Sequence, residues 1–195
     1  MKTKNILIVA GALILFTVLV IGATYAWWSW QTTESENTTV NFVATETFAC
    51  SADGGGNITT STKKLVPTHC TNSNYAIQRK ITTNITTTYT NENVKMSLWL
   101  DVINIDSQLL ASSNFKYAVT TNPNSCTSDV VLAGASFNSR ITNNKAPLFT
   151  DLTFVGTQSN TYYLYIWLDE AETDSSTMNR NFNLALNGQC TGTGV

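Results

Sequence analysis

An all-β protein, folded as an antiparallel β-sandwich of jelly-roll or Greek-key type behind one N-terminal apolar helix, is what this sequence predicts. Ser, Thr and Asn supply 69 of the 195 residues against 24 charged ones, and Val, Ile, Thr and aromatic residues dominate the apolar runs, a composition that suits extracellular strands. Those runs are short, alternate apolar with polar residues and are separated by polar turns, whereas no helical period occurs after residue 30. The division expected is a signal peptide or membrane anchor over residues 1–26, an aromatic and polar spacer over 27–38, and a sandwich domain over 39–195.

Residues 6–23 are free of charge and follow Lys2 and Lys4, long enough to cross most of a bilayer with the basic end inside. The run ends in GATYAWWSW. One reading is a signal cleaved after Ala26, which puts Ala26 and Thr24 at the first and third positions before the cut, where small residues are usual and threonine is only a fair match. The alternative is a retained anchor whose Tyr25, Trp27, Trp28 and Trp30 sit in the outer headgroup layer. Both readings place residues 31–195 outside the membrane. That part has 9 basic and 13 acidic residues and no basic stripe, so nucleic acid is excluded as a partner.

From Thr39 the chain reads as one half-buried strand in which Val40, Phe42, Ala44, Phe48 and Cys50 share a parity. After SADGGGN, the segments NITTSTKKLVP and YAIQRKITTNITTTY read as strands for their threonine content. MSLWLDVINI sets Met96, Leu98, Leu100 and Val102 on one face and Ser97, Trp99 and Asp101 on the other. DSQLLASSN reads as one helical turn or a loop. FKYAVTT, VVLAGASF and APLFTDLTFV follow as strands. In TYYLYIWLDE both faces are apolar, Tyr163, Tyr165 and Trp167 against Tyr162, Leu164, Ile166 and Leu168, which marks a central strand. NFNLALNG closes the domain with Phe182, Leu184 and Leu186 inward, giving about eight or nine strands.

Cys50, Cys70, Cys126 and Cys190 are the only cysteines, and an even number outside the cell points to disulfides. The glycine-rich turn between Cys50 and Cys70 suggests that these two pair, which leaves Cys126 for Cys190. Zinc needs close cysteine pairs or histidines at helical spacing, and the single histidine, His69, reads as an ordinary turn residue. No cofactor motif is present. DEAETD packs Asp169, Glu170, Glu172 and Asp174 into six positions, a density of hard oxygens that suits calcium; without EF-hand spacing a solvated acidic turn is the plainer reading. N-x-[ST] sequons at Asn37, Asn57 and Asn84 arise readily in so threonine-rich a chain.

The charged start, GATYAWWSW, the threonine-rich first strand, YYLYIWLD and NFNLALNG together resemble the TasA and camelysin family of secreted bacterial proteins. The resemblance implies a jelly-roll-like sandwich, cleavage by a SipW-type signal peptidase after Ala26, and assembly of the matrix members into extracellular fibres in which the freed N-terminal strand completes the next subunit. The four cysteines and the Trp27–Trp28 pair depart from that pattern.

Three functions are therefore weighed. The first is a surface or biofilm-matrix fibre subunit that self-associates by strand addition, with Val40, Phe42 and Phe48 as the plugs of the donor strand. The second is a single-pass anchored binding or adhesive ectodomain, with Trp99 in a ligand patch. The third, a camelysin-like metallopeptidase, lacks HExxH and is disfavoured.

Overall fold

In the computed structural model, which describes residues 39–44, 47–54, 56–60 and 64–192, the β-branched and aromatic runs form strands. The expected apolar segment 6–23, Ala26 and the three tryptophans near it lie outside the described residues. In chain order the strands are β1 (Thr39–Ala44), β2 (Phe48–Asp53), β3 (Ile58–Thr59), β4 (Ile77–Thr87), β5 (Asn93–Ile105), β6 (Phe115–Thr120), β7 (Val130–Ser136), β8 (Lys145–Val155), β9 (Gln158–Leu168) and β10 (Phe182–Gly192). Two short helices, α1 (Ser107–Ala111) and α2 (Phe137–Arg140), and a 3-10 turn at Ser175–Thr177 complete the described elements. The predominance of antiparallel strands makes the protein all-β.

One sheet has six strands in the order β1-β2-β4-β9-β6-β7, the other four in the order β3-β10-β5-β8. Among the described strands only β1–β2 and β6–β7 pair as consecutive strands, because the chain changes sheet at all the other connections. At one of these, Gly156 adopts φ +68°, and a Cβ there would lie 2.5 Å from the Thr90 carbonyl oxygen. A left-handed, side-chain-free residue is required to turn β8 into β9 so tightly.

Residues from both sheets share one core. In β4 the isoleucines 77, 81 and 85 recur every four residues, an even spacing that sets all three on one strand face, and all three are buried. Their spacing is thus regular for a strand. β9 lies between β4 and β6, and both its faces are used: Tyr162, Leu164, Ile166 and Leu168 join the main core, while Tyr165 and Trp167 join a smaller cluster on the other face. Phe182, Leu184 and Leu186 point inward as their alternation requires.

Three local features differ from the expected pattern, the first being NITTSTKKLVP, in which strand is described only at Ile58 and Thr59. Ser97, read as part of a polar face, is buried because its hydroxyl accepts from the Asp151 N–H at 2.9 Å and so holds an irregular step in the β5–β8 ladder. The single first strand is in fact a hairpin: the chain reverses between Ala44 and Phe48, and Val40 faces Ala52 while Val43 faces Cys50. A bulge between Asn41 and Val43 breaks the alternation there, with Phe42 as the extra residue.

Candidate functional site

The distinctive place in this fold is the seam that β1 closes. β1 hydrogen-bonds to β2 on one side and approaches β10 to within 8 Å between Cα atoms. β10 pairs with β5 along its whole length, but on its other side only Asn183 and Leu184 meet β3. Beyond Leu184 that side of β10 has no ladder partner among the described residues. The Gly188 N–H is satisfied by its neighbour's side chain, Asn187 Oδ1 at 2.8 Å.

Phe42 is half-buried and packs on the core at this seam. Its socket depends on Gly188, where a Cβ would lie 3.0 Å from Phe42 Cζ, 2.7 Å from the Ser97 carbonyl oxygen and 2.5 Å from Leu98 Cδ2. Such contacts are below van der Waals distance, so any side chain at 188 displaces a neighbour. Of the three expected plugs, Val40 and Phe42 lie on β1, whereas Phe48 belongs to β2 and is buried over Gly192. Phe48 is therefore part of the wall and not of the plug. Gly188 and Gly192 were missed in the sequence because a glycine carries no apolar signal; their spacing within an alternating strand was the one available hint.

The cysteines pair differently from the expectation. Cys70 is bonded to Cys126, with Cα atoms 6.3 Å apart, and not to Cys50; Cys126 is not bonded to Cys190. The glycine-rich segment does not return as a hairpin, since β2 leads into β3 of the other sheet and Cys70 is carried past Pro67, which bridges to Leu168. The disulfide then packs beside Ala76, Ala118, Tyr165 and Trp167 in the smaller cluster. Cys50 and Cys190 instead lie in the main core as buried thiols.

Asp169, Glu170, Glu172 and Asp174 do not converge. Among the described residues no three His, Cys, Asp or Glu side chains gather as metal ligands. Asp169 accepts from Lys116 at 3.0 Å and from the Trp167 indole at 3.3 Å; Asp174 accepts from the Ser176 N–H at 2.8 Å and caps the 3-10 turn. Glu170 is exposed. Glu172 is buried, accepts from the Ser112 hydroxyl and takes the Asp174 N–H at 2.9 Å. The acidic segment thus organises its own loop. His69 is exposed, with Nδ1 2.9 Å from the Thr71 hydroxyl, in the turn that presents Cys70.

The Ser112 hydrogen bond holds the Glu172 carboxyl below the usual range against the opposing effect of burial, with further donors from the Asp174 and Thr173 N–H groups. A carboxyl lowered in the folded state stabilises the fold above its unfolded pKa of about 4.3, and that stability is lost as pH falls through the folded value. Glu172→Gln is therefore expected to lower stability at neutral pH and to flatten its decline below about pH 5, measured by urea unfolding across pH 3 to 7. An acid limb identical to the wild type would reject this role.

Trp99 lines a pocket of about 290 Å³ with Arg140, Lys145 and Gln189. It is half-buried, its indole N–H donates to Asp101 at 2.9 Å, and Lys145 Nζ stands 4.1 Å from its ring centre. One face of the ring is thus already occupied by a cation. Arg140 stacks on Tyr117, 5.4 Å from that ring's centre, and its Nη1 is buried without a hydrogen-bond partner among the described residues. The pocket offers cationic and neutral donors to a small polar ligand.

Comparison of the chain with family models, with curated proteins and with solved structures gives no match.

Proposed function

We propose that this protein is an extracellular structural subunit of the bacterial surface or biofilm matrix, assembled into fibres by exchange of its N-terminal strand, on a jelly-roll or Greek-key sandwich. The observation that carries the reading is that β1, an edge strand, fills the seam between β2 and β10 with Phe42 seated against Gly188. Removing β1 exposes the outer edge of β2 and the open side of β10. An identical strand from a second copy restores the same backbone bonds and refills the same socket, so exchange conserves the contacts and is governed by concentration and by the hinge. The hinge is short, spanning only residues 45–47 between β1 and β2, and short hinges favour exchange over a closed monomer. The resemblance of GATYAWWSW to a SipW-type signal supports release after Ala26, which would free residues 27–38 ahead of β1.

Residues 27–195, purified and concentrated, are expected to form fibres in electron microscopy and particles that grow with concentration in light scattering. An excess of the peptide 27–48 should cap the seam and shorten them, and Phe42→Ala should weaken assembly while the domain stays folded. A protein that remains monomeric at high concentration would overturn the proposal.

The Trp99 pocket favours a second reading, an ectodomain held at the membrane by residues 6–23 and engaged in binding or adhesion. Mass spectrometry of the native amino terminus separates the two: Trp27 first indicates release through signal peptidase, and an intact Met1 indicates an anchor.

A further inference from the structure

β2 and β10 face each other across the core and run in opposite directions, and their facing contacts advance in step. A Cβ on Gly192 would lie 2.8 Å from Phe48 Cε1, and a Cβ on Gly54 would lie 2.6 Å from Leu186 Cδ2. Midway between Phe48 and Ala52 on one strand, and between Gly188 and Gly192 on the other, stand Cys50 and Cys190. Both are buried in the same core cluster, with exposures of 3% and 5%.

Stacked sheets ordinarily lie about 10 Å apart, too far for a disulfide, which needs Cα atoms roughly 4.4–6.8 Å apart. Here the two strands come within 8 Å between Cα atoms. The residues that allow it are the small ones flanking the cysteines, Ala52 on β2 and Gly54 just after it, and Gly188 and Gly192 on β10.

We propose that Cys50 and Cys190 are a site of oxidative cross-linking, joined by a disulfide that ties one sheet to the other beside the seam closed by β1. Cys70–Cys126 packs beside Ala118 of β6 and Tyr165 and Trp167 of β9, within one sheet, whereas this bond joins the two walls of the seam. Chemically, a Cys50 thiolate attacks the S–S bond of an external disulfide, either a small-molecule disulfide or an oxidised thiol–disulfide oxidoreductase, and forms a mixed disulfide while one oxidant thiol leaves. The Cys190 thiolate then attacks the Cys50 sulfur, closing the protein bond and expelling the second oxidant thiol. Two electrons pass to the oxidant, and the two thiol protons go to its sulfurs or to water.

In the closed fold the Cys190 thiol donates to the Cys50 sulfur, which lowers Cys50, and the same contact together with burial raises Cys190. With both thiols buried, the two exchange steps belong to a chain that has not yet fully closed over Cys50 and Cys190. Its consequence for assembly rests on the strand-exchange reading: with β2 and β10 tied together, β1 leaves without the two sheets separating.

The test is tryptic mapping of the mature protein, unfolded without reductant after free thiols are blocked. Cleavage at Lys63, Lys116, Arg140 and Arg180 places the four cysteines in four different peptides. The expected result is a linked species joining the Cys50 peptide that ends at Lys63 to residues 181–195, two hydrogens lighter than its parts and separated by reduction. Blocked thiols on both peptides would overturn the disulfide whatever the protein does in assembly. Cys50→Ala with Cys190→Ala is expected to lower the melting midpoint by about 10 °C under non-reducing conditions and to keep the Cys70–Cys126 link. An unchanged midpoint counts against the bond, and if the variant does not fold, the wild-type map still decides. A linked pair in a protein that stays monomeric leaves the disulfide standing and overturns strand exchange alone.

Discussion

Phe115→Ala is expected to lower stability by about 3–5 kcal/mol. Phe115 is wholly buried on β6, its ring stacks on Phe137 of α2 at 4.5 Å and meets Phe182 of β10 at 5.4 Å, and Phe137 in turn meets Tyr117 at 4.4 Å. The cluster joins the six-stranded sheet to the four-stranded one at the end opposite the seam, so its loss leaves a cavity that neither sheet can close independently. In melting midpoint the change is on the order of 10 °C for a domain of this size. Ile103→Ala, at a side chain 56% exposed, provides the comparison and should stay within about 0.5 kcal/mol. A Phe115→Ala protein that loses less than about 1 kcal/mol would show that the aromatic cluster is not the joint described here.

Removing the Cys70–Cys126 bond is the second large effect, about 4 kcal/mol in the chain-entropy view, because the bond closes a loop of 56 residues in sequence separation. Cys70→Ser with Cys126→Ser is the appropriate variant, since a single replacement leaves a reactive thiol. The bond also covers the outer faces of Tyr165 and Trp167, whose fluorescence should shift toward that of wetter residues. Urea unfolding with and without reductant measures the change. A midpoint that does not move in the double variant would remove the disulfide from the account of stability.

Much of the strand content was legible in the sequence, for reasons visible at single positions. Tyr162 to Leu168 alternate two apolar sets, and the structure places β9 in the interior of its sheet with both sets in use. DSQLLASSN, which reads as a helical turn or a loop, forms the short helix α1, where the Asp106 carboxylate accepts from the Gln108 N–H as its cap. The cysteines show where the reading stopped. Cys50 shares the parity of buried Phe48, and Cys190 that of Phe182, Leu184 and Leu186, so both were marked as interior residues. Cys70 and Cys126 lie in segments outside the strands and carry no such mark. Pairing by proximity along the chain fails here because the chain changes sheet between Cys50 and Cys70. The acidic segment was misleading in another way: density of carboxylates says nothing about their direction, and here each oxygen with a described partner turns to a nearby donor.

What the sequence determined by itself is therefore the strand character of most segments and, where alternation runs without a bulge, the face a residue presents, since alternation follows from the backbone geometry of a strand and needs no knowledge of its neighbours. The tertiary structure alone decided the order of strands, the reversal that splits the first strand into a hairpin, the pairing of Cys70 with Cys126 and the glycine socket under Phe42. Each of these depends on which sheet a strand joins, a choice set by burial summed over the whole core, and no local window of sequence contains that sum.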